Sequence, residues 1–157
     1  MKQIVLFVTC LIMSLSSLAQ RVILVERGNE QSLLDAIQKA NEMNADTTAE
    51  RLFILIPNGF YDLGERVLTR ISGHNIALIG QDMRFTVIKN KPDVKIESIS
   101  KTAVFQNRGT GNYFQDMTLK NELDYYSTNE DGRAVTLQDK GTRTEPYRPE
   151  ADGCRGQ

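Results

Sequence analysis

The sequence predicts an all-β fold: a solenoid of stacked β-coils, closed at its start by one α-helix. Three observations lead there. Residues 102–137 run as short alternating segments with Gly109 and Gly111 between them, and glycine supplies the loose backbone that a sharp corner needs. No helical period separates these segments, which suits one strand per short repeat and not a doubly wound sheet. Apolar strands also recur at a near-constant interval, 24 residues from Ile54 to Leu78 and 26 from Leu78 to Val104, approximating one coil of a three-sided solenoid.

Each element follows from local pattern. Residues 22–25 read as a buried strand, broken by Gly28 and Asn29. Residues 32–40 carry the helical period, with Leu33, Ile37 and Ala40 on one face and Leu34 beside them. Ser32 is the expected N-cap, with Asp35 completing a capping-box-like pair. This helix is placed to cap the first coil, whose edge would otherwise invite pairing. Residues 52–56 are a continuous apolar run stopped by Pro57, Asn58 and Gly59. Further strands are expected at 75–80, 86–88, 102–106, 113–121 and 133–138. Phe105, Tyr113, Met117 and Leu119 are positions that a sheet could bury. Ile54, Ile56, Leu78, Val104, Met117 and Val135 are expected to point inward, since side chains alternate along a strand.

The chain has 157 residues, 40% hydrophobic and 25% charged, enough for one domain with a core. Its formal charge of −1 and scattered lysines and arginines give no nucleic-acid footprint. The three lysines in 89–95 are interrupted by Pro92 and Asp93 and read as a solvated loop.

Residues 1–19 read as a secretory signal peptide. Lys2 gives the positive start, 4–15 is apolar apart from Thr9 and Ser14, and Ser17-Leu18-Ala19 matches a small-x-small cleavage site before Gln20. The apolar run is short for a membrane span, which needs roughly 20 residues. Lipid attachment at Cys10 is the alternative, disfavoured because the apolar run continues past the cysteine. The expected location is therefore secreted or periplasmic, with no stable membrane anchor. Cleavage removes Cys10 and leaves Cys154 alone, so no intramolecular disulfide forms. His74, the single histidine, lies in the turn-like run Ser72-Gly73-His74-Asn75, out of context for a thiol catalyst.

Residues 145–157 break the pattern. They contain no Val, Ile, Leu, Met or Phe, and hold Pro146 and Pro149, two of the chain's four prolines. This composition predicts a disordered tail after 144.

Several collinear segments together resemble the pectinesterase (pectin methylesterase) family. Residues 53–61, Phe-Ile-Leu-Ile-Pro-Asn-Gly-Phe-Tyr, resemble its strand followed by Gly-x-Tyr. Residues 75–82 resemble its "itliGed" segment, 86–88 the following "TvI", 102–105 and 113–121 the stretch ending in "nlTieN", and 133–137 its "QAVAL" motif. The resemblance spans about residues 22–144. It implies a right-handed parallel β-helix, a carboxylic ester hydrolase that de-esterifies methyl-esterified pectin in cell-wall breakdown, and no metal or other cofactor. In such enzymes one Asp is the nucleophile and a second the general acid and base, with glutamines at the oxyanion and an Arg orienting the nucleophile.

The resemblance places Thr102 where the family contacts the sugar chain, and Arg133 where it has an oxyanion-stabilising glutamine. These two are the expected substrate-binding residues, both facing outward on one side of the solenoid. The family's downstream motifs, Tyr-Gln-Asp-Thr and Asp-Phe-Ile-Phe-Gly, do not occur, and Asp152 lacks their context. No catalytic residue is assigned. The expectation is an incomplete β-helix, a truncated chain inactive by itself. A non-catalytic carbohydrate-binding or structural β-solenoid is the alternative. Asp124, Tyr125 and Tyr126 read either as the wall of a sugar groove or as a loop with partly buried tyrosines. Asp62 and Glu65 read as solvated loop carboxylates, since nothing beside them would perturb a catalytic pair.

Overall fold

The computed structural model describes residues 21–92, 102–123, 135–147 and 150–152. Within them, twelve short strands and one helix follow in the order β1 (Val22–Leu24), α1 (Glu30–Met43), β2 (Leu52–Ile56), β3 (Gly59–Asp62), β4 (Thr69–Ile71), β5 (Ile76–Gly80), β6 (Thr86–Asn90), β7 (Phe105–Asn107), β8 (Tyr113–Gln115), β9 (Thr118–Asn121), β10 (Leu137–Asp139), β11 (Glu145–Tyr147) and β12 (Glu150–Asp152).

All pairings between these strands are parallel. They form three sheets: A in the order β1-β2-β5-β8-β11, B in the order β3-β6-β9-β12, and C in the order β4-β7-β10. From β2 onward the chain visits A, B and C in turn, then returns to A one strand further on. Each circuit therefore stacks on the last.

Register places like side chains over like. Ile54 pairs with Leu78 and Leu78 with Phe114; Tyr61 pairs with Ile88 and Ile88 with Leu119; Thr69 pairs with Phe105 and Phe105 with Leu137. These columns fill the space between the sheets. Ile54, Tyr61, Leu78, Ile88, Phe105 and Phe114 have no exposed surface, each contributing about 1.5–3 kcal/mol of transfer free energy. Five of the six expected inward residues, Ile54, Ile56, Leu78, Val104 and Met117, are buried. Val135 is only half-buried, because it lies ahead of β10 at the edge of sheet C.

α1 closes the bottom of this core. Leu33, Ala36, Ile37 and Ala40 are buried in it, and the helix packs against β1, β2, β3 and β4. Its N-cap is Asn29, not Ser32. The Asn29 side chain accepts a hydrogen bond from the Ser32 backbone N–H, while the Ser32 hydroxyl accepts one from the Glu26 N–H. A capping side chain must sit just before the first turn, and the helix begins two residues earlier than its apolar period suggests.

Other expectations are corrected by register. The 24-residue spacing of Ile54 and Leu78 is a true coil, whereas Leu78 stacks on Phe114. Val104 precedes β7 in sheet C instead. The connection from β6 to β7 is long, so that circuit takes more residues than the one before it. The segment 113–121 is two strands in two sheets, bent at Asp116, whose φ is 52°. β3 and β4 are strands that the sequence pattern did not reveal, and Asp62 lies on β3, not in a loop.

Within the expected disordered tail, 145–147 and 150–152 pair in parallel with β8 and β9. The top of the stack offers free backbone N–H and C=O groups, and a strand answers them with its own backbone whatever its composition. Residues 1–19, with the expected signal peptide and Cys10, lie outside the described residues, as does Cys154. Among the described residues no helix is long and apolar enough to cross a membrane.

Candidate functional site

The three sheets present different outer faces. Outside sheet A is apolar. Leu24 pairs with Leu55 and Leu55 with Ile79, forming a ladder whose first two members are exposed. With Pro57 and Gln81 they line a shallow groove of about 280 Å³.

Outside sheet B the charges are paired. Lys89 Nζ lies 3.0 Å from Asp62 and 3.1 Å from Glu122, and Lys120 lies 3.0 Å from Glu122. The Gly64 backbone N–H and then Lys89 hold the Asp62 carboxyl below its usual range. Lys120 and Lys89 do the same for Glu122. Asp62 first and Glu122 second push the Lys89 ammonium up. Lys89, expected in a solvated loop, is thus a β6 residue locked between two carboxylates, because the strand carries it between β3 and β9.

Outside sheet C stands a column of planar polar groups. Arg70 pairs in register with Gln106, and Gln106 with Gln138. The Gln106 amide donates to Gln138 Oε1 at 2.5 Å and accepts from Arg108 Nε at 2.7 Å. Gln106 is fully buried between its neighbours, while Arg70, Arg108 and Lys140 are exposed. Arg108 and Lys140 occupy equivalent positions one coil apart. The Arg108 N–H donates to Ile71 O, and the Lys140 N–H donates to Asn107 O, both at 2.8 Å.

Connection lengths single out the same face. Those from A to B and from C to A stay short on every circuit, whereas those from B to C grow from 6 to 14 to 15 residues. Lengthened loops on a rigid scaffold are where binding residues gather. Sheet C therefore combines hydrogen-bonding side chains with an elaborated flank, and it is the candidate site.

Thr102 lies on that flank but does not face outward as expected. It is 1% exposed, and its carbonyl accepts from Asn90 Nδ2 at 3.4 Å and Asn121 Nδ2 at 2.5 Å. Two asparagines that close the turn from B to C pull this residue inside. Arg133 falls outside the described residues. Asp124, Tyr125 and Tyr126 also lie outside them. Asp62 is committed to Lys89, and Glu65 is exposed at a turn. His74 is structural: its Nδ1 accepts from the Thr110 backbone N–H at 2.9 Å, and its backbone N–H donates to Asn44 O. Among the described residues no group of acidic, cysteine or histidine side chains could hold a metal ion.

The residues that build the candidate site, Arg70, Gln106, Arg108, Gln138 and Lys140, escaped the sequence reading. A signal for four of them existed. Phe105-Gln106-Asn107-Arg108-Gly109-Thr110 and Leu137-Gln138-Asp139-Lys140-Gly141-Thr142 are one repeat, 32 residues apart, with Gln and a cation at matching places.

No family model and no curated protein matches the chain. Solved structures do. One, of a pectin methylesterase mutant in complex with hexasaccharide IV, is similar at a TM-score of 0.60 and 21% identity, covering 74% of this chain and 37% of that one. A pectin methylesterase in complex with hexasaccharide VII is similar at 0.59 and 22%, covering 73% and 36%. Pectin methylesterase PemA from Erwinia chrysanthemi is similar at 0.52 and 18%, covering 73% and 40%. The likeness is one of fold, and the chain spans 37% of the first structure's length.

Proposed function

We propose that this is a pectinesterase-like, pectin-binding chain, and that its strands wind as the first coils of a right-handed parallel β-helix. Winding through A, B and C in repeated order, in common with pectin methylesterase structures, is the observation that carries the reading. Right-handed crossovers are what right-twisted parallel strands demand. Two of the similar structures hold hexasaccharides, and the outer face of sheet C offers the half-buried Gln138 amide and exposed guanidinium groups, suited to sugar hydroxyls and uronate carboxylates.

The part proposed for these residues is polysaccharide binding, and the ester-cleaving step is not assigned to them. Ester hydrolysis of the expected kind needs two carboxylates at one groove. Among the described residues no carboxylate pair stands on sheet C. Asp139, the acid nearest the amide column, accepts instead from Asn107 Nδ2 and the Gly141 N–H, both at 2.9 Å. This same fact favours the second reading, a carbohydrate-binding solenoid without catalysis. Export by removal of residues 1–19 belongs to the proposal, and N-terminal sequencing of the exported chain should begin at Gln20.

Retention on methyl-esterified pectin in affinity electrophoresis, together with methanol release, tests the reading. We expect retention without methanol. A chain that runs unretarded through pectin overturns the binding role. Methanol above a heat-killed control overturns the non-catalytic part.

A further inference from the structure

The charged residues of sheets B and C are handled in opposite ways. On sheet B every strand cation with a carboxylate neighbour is neutralised. On sheet C, Arg70, Arg108 and Lys140 are exposed, and among the described residues no carboxylate lies within ion-pair distance of any of them. Asp139, the acid beside Lys140, is exposed and accepts three hydrogen bonds at its Oδ1, from Asn107, Gly141 and Thr144. The chain as a whole carries a formal charge of −1, so a cationic strip with no carboxylate partner among the described residues runs against the overall balance.

The strip is also ordered. Arg108 and Lys140 sit on successive coils, about 4.8 Å apart along the stack. Arg70 lies one coil below, beneath Gln106 in register. Arg108 is oriented by its Nε bond to Gln106, which leaves its terminal nitrogens free for a fork-like pair with a carboxylate. Three cations on neighbouring coils, Arg70 at the foot of the amide column and Arg108 and Lys140 beside it, match a polymer bearing repeated carboxylates better than a neutral one.

We infer that the outer face of sheet C is a carboxylate-reading strip, with Arg70, Arg108 and Lys140 selecting de-esterified, anionic uronate stretches over methyl-esterified ones. This rests on the pectin-binding reading above and adds the charge state of the polymer that the face prefers. A methyl ester removes the negative charge and with it the partner of each cation, whereas the half-buried Gln138 amide serves either form.

The test compares the affinity of the full chain for polygalacturonate, fully methyl-esterified pectin, neutral dextran and polyglutamate at low and moderate salt. Polygalacturonate should bind most tightly, and its advantage should shrink with salt, since exposed charges are screened. R70Q, R108Q and K140Q should each weaken polygalacturonate binding roughly two- to fivefold and weaken binding to esterified pectin by less. R84Q removes the same charge from a cation already paired with Asp82 and should change neither. Thermal melts of all four variants verify folding. Equal affinity for esterified and de-esterified polymer overturns the strip but leaves pectin binding standing. Binding to neither overturns both. Polyglutamate binding as tightly as polygalacturonate overturns the uronate reading in favour of plain charge attraction.

Discussion

The corners leading from sheet C back to sheet A are short and alike from coil to coil, while those from B to C lengthen and vary. At the first kind, backbone packs on backbone. A Cβ on Gly109 would sit 1.8 Å from Gly73 O, and one on Gly141 would sit 2.1 Å from Gly109 O. Two residues after each of these glycines, the chain takes a left-handed conformation, at Asn75 (φ 53°), Gly111 (φ 72°) and Arg143 (φ 56°). Asn112 ties adjacent coils together, donating to Gly73 O and accepting from the Ile76 N–H. At the second kind, side chains do the closing. Asn121 Nδ2 reaches Thr102 O and Val135 O, and its Oδ1 accepts from the Leu123 N–H. Thr69 Oγ1 and Asn90 Oδ1 are buried there without a hydrogen-bond partner among the described residues. A corner made by stacked backbone fixes both residue type and length. One bridged by an amide leaves the loop beyond it free to grow, which is how a regular stack acquires an irregular flank for binding.

This contrast is broken most directly at Gly109. Gly109→Ala forces a methyl into the Gly73 carbonyl and should cost at least about 3 kcal/mol, read as a large fall in the urea midpoint or loss of the folded chain. An unchanged midpoint would mean that the corner has room to relax. On the other side, Asn121→Ala leaves two carbonyls and an N–H without the amide that serves them. It should cost about 2 kcal/mol, and Asn121→Asp should not restore it, because a carboxylate cannot donate to the carbonyls.

The ion pairs of sheet B give a smaller and pH-dependent effect. Asp62 and Glu122 are held below the usual carboxylate range. Their contribution is therefore present above about pH 4 and lost as pH falls through their lowered folded values. Lys89 is raised, so its share persists below its ordinary range and is lost only as pH rises through the raised value. Lys89→Ala should cost about 1 kcal/mol or less near neutrality, given the exposure of its partners, and flatten the acid limb of the stability curve. An acid limb identical to that of the parent chain would assign the acid sensitivity elsewhere.

The smallest expected change is a gain. Arg143 occupies a left-handed conformation that costs a side-chain residue about 1 kcal/mol. Arg143→Gly should recover part of this, about 0.5 kcal/mol after the added freedom of the unfolded chain is counted. A fall in stability would show that the Arg143 side chain contributes more than its backbone costs.

How much of this was readable beforehand depended on the kind of interaction. Ile54 over Leu78 was legible because burial imposes alternation and the intervening corners are short. Leu78 over Phe114 was not, because the long β6–β7 connection moves the repeat from 24 to 36 residues. The candidate site was legible only in outline. The resemblance pointed to the neighbourhood of residues 102–137, yet Thr102 turned out to be buried, and the outward cations came from a repeat recognised only once coils were in register.

Sequence by itself determined the parallel-strand class, the apolar face of α1, the glycine corner around 109–111 and most of the inward columns. These follow from side-chain period and from the conformational freedom of single residues, both local properties. Tertiary structure decided the rest: Asn29 as the cap, β3 and β4 as strands, β11 and β12 in a stretch too polar to suggest them, and Arg70, Arg108 and Lys140 on one face. Backbone pairing is indifferent to side-chain polarity. It is governed by the free edge that the preceding coil presents, and that edge exists only once the chain has folded up to it.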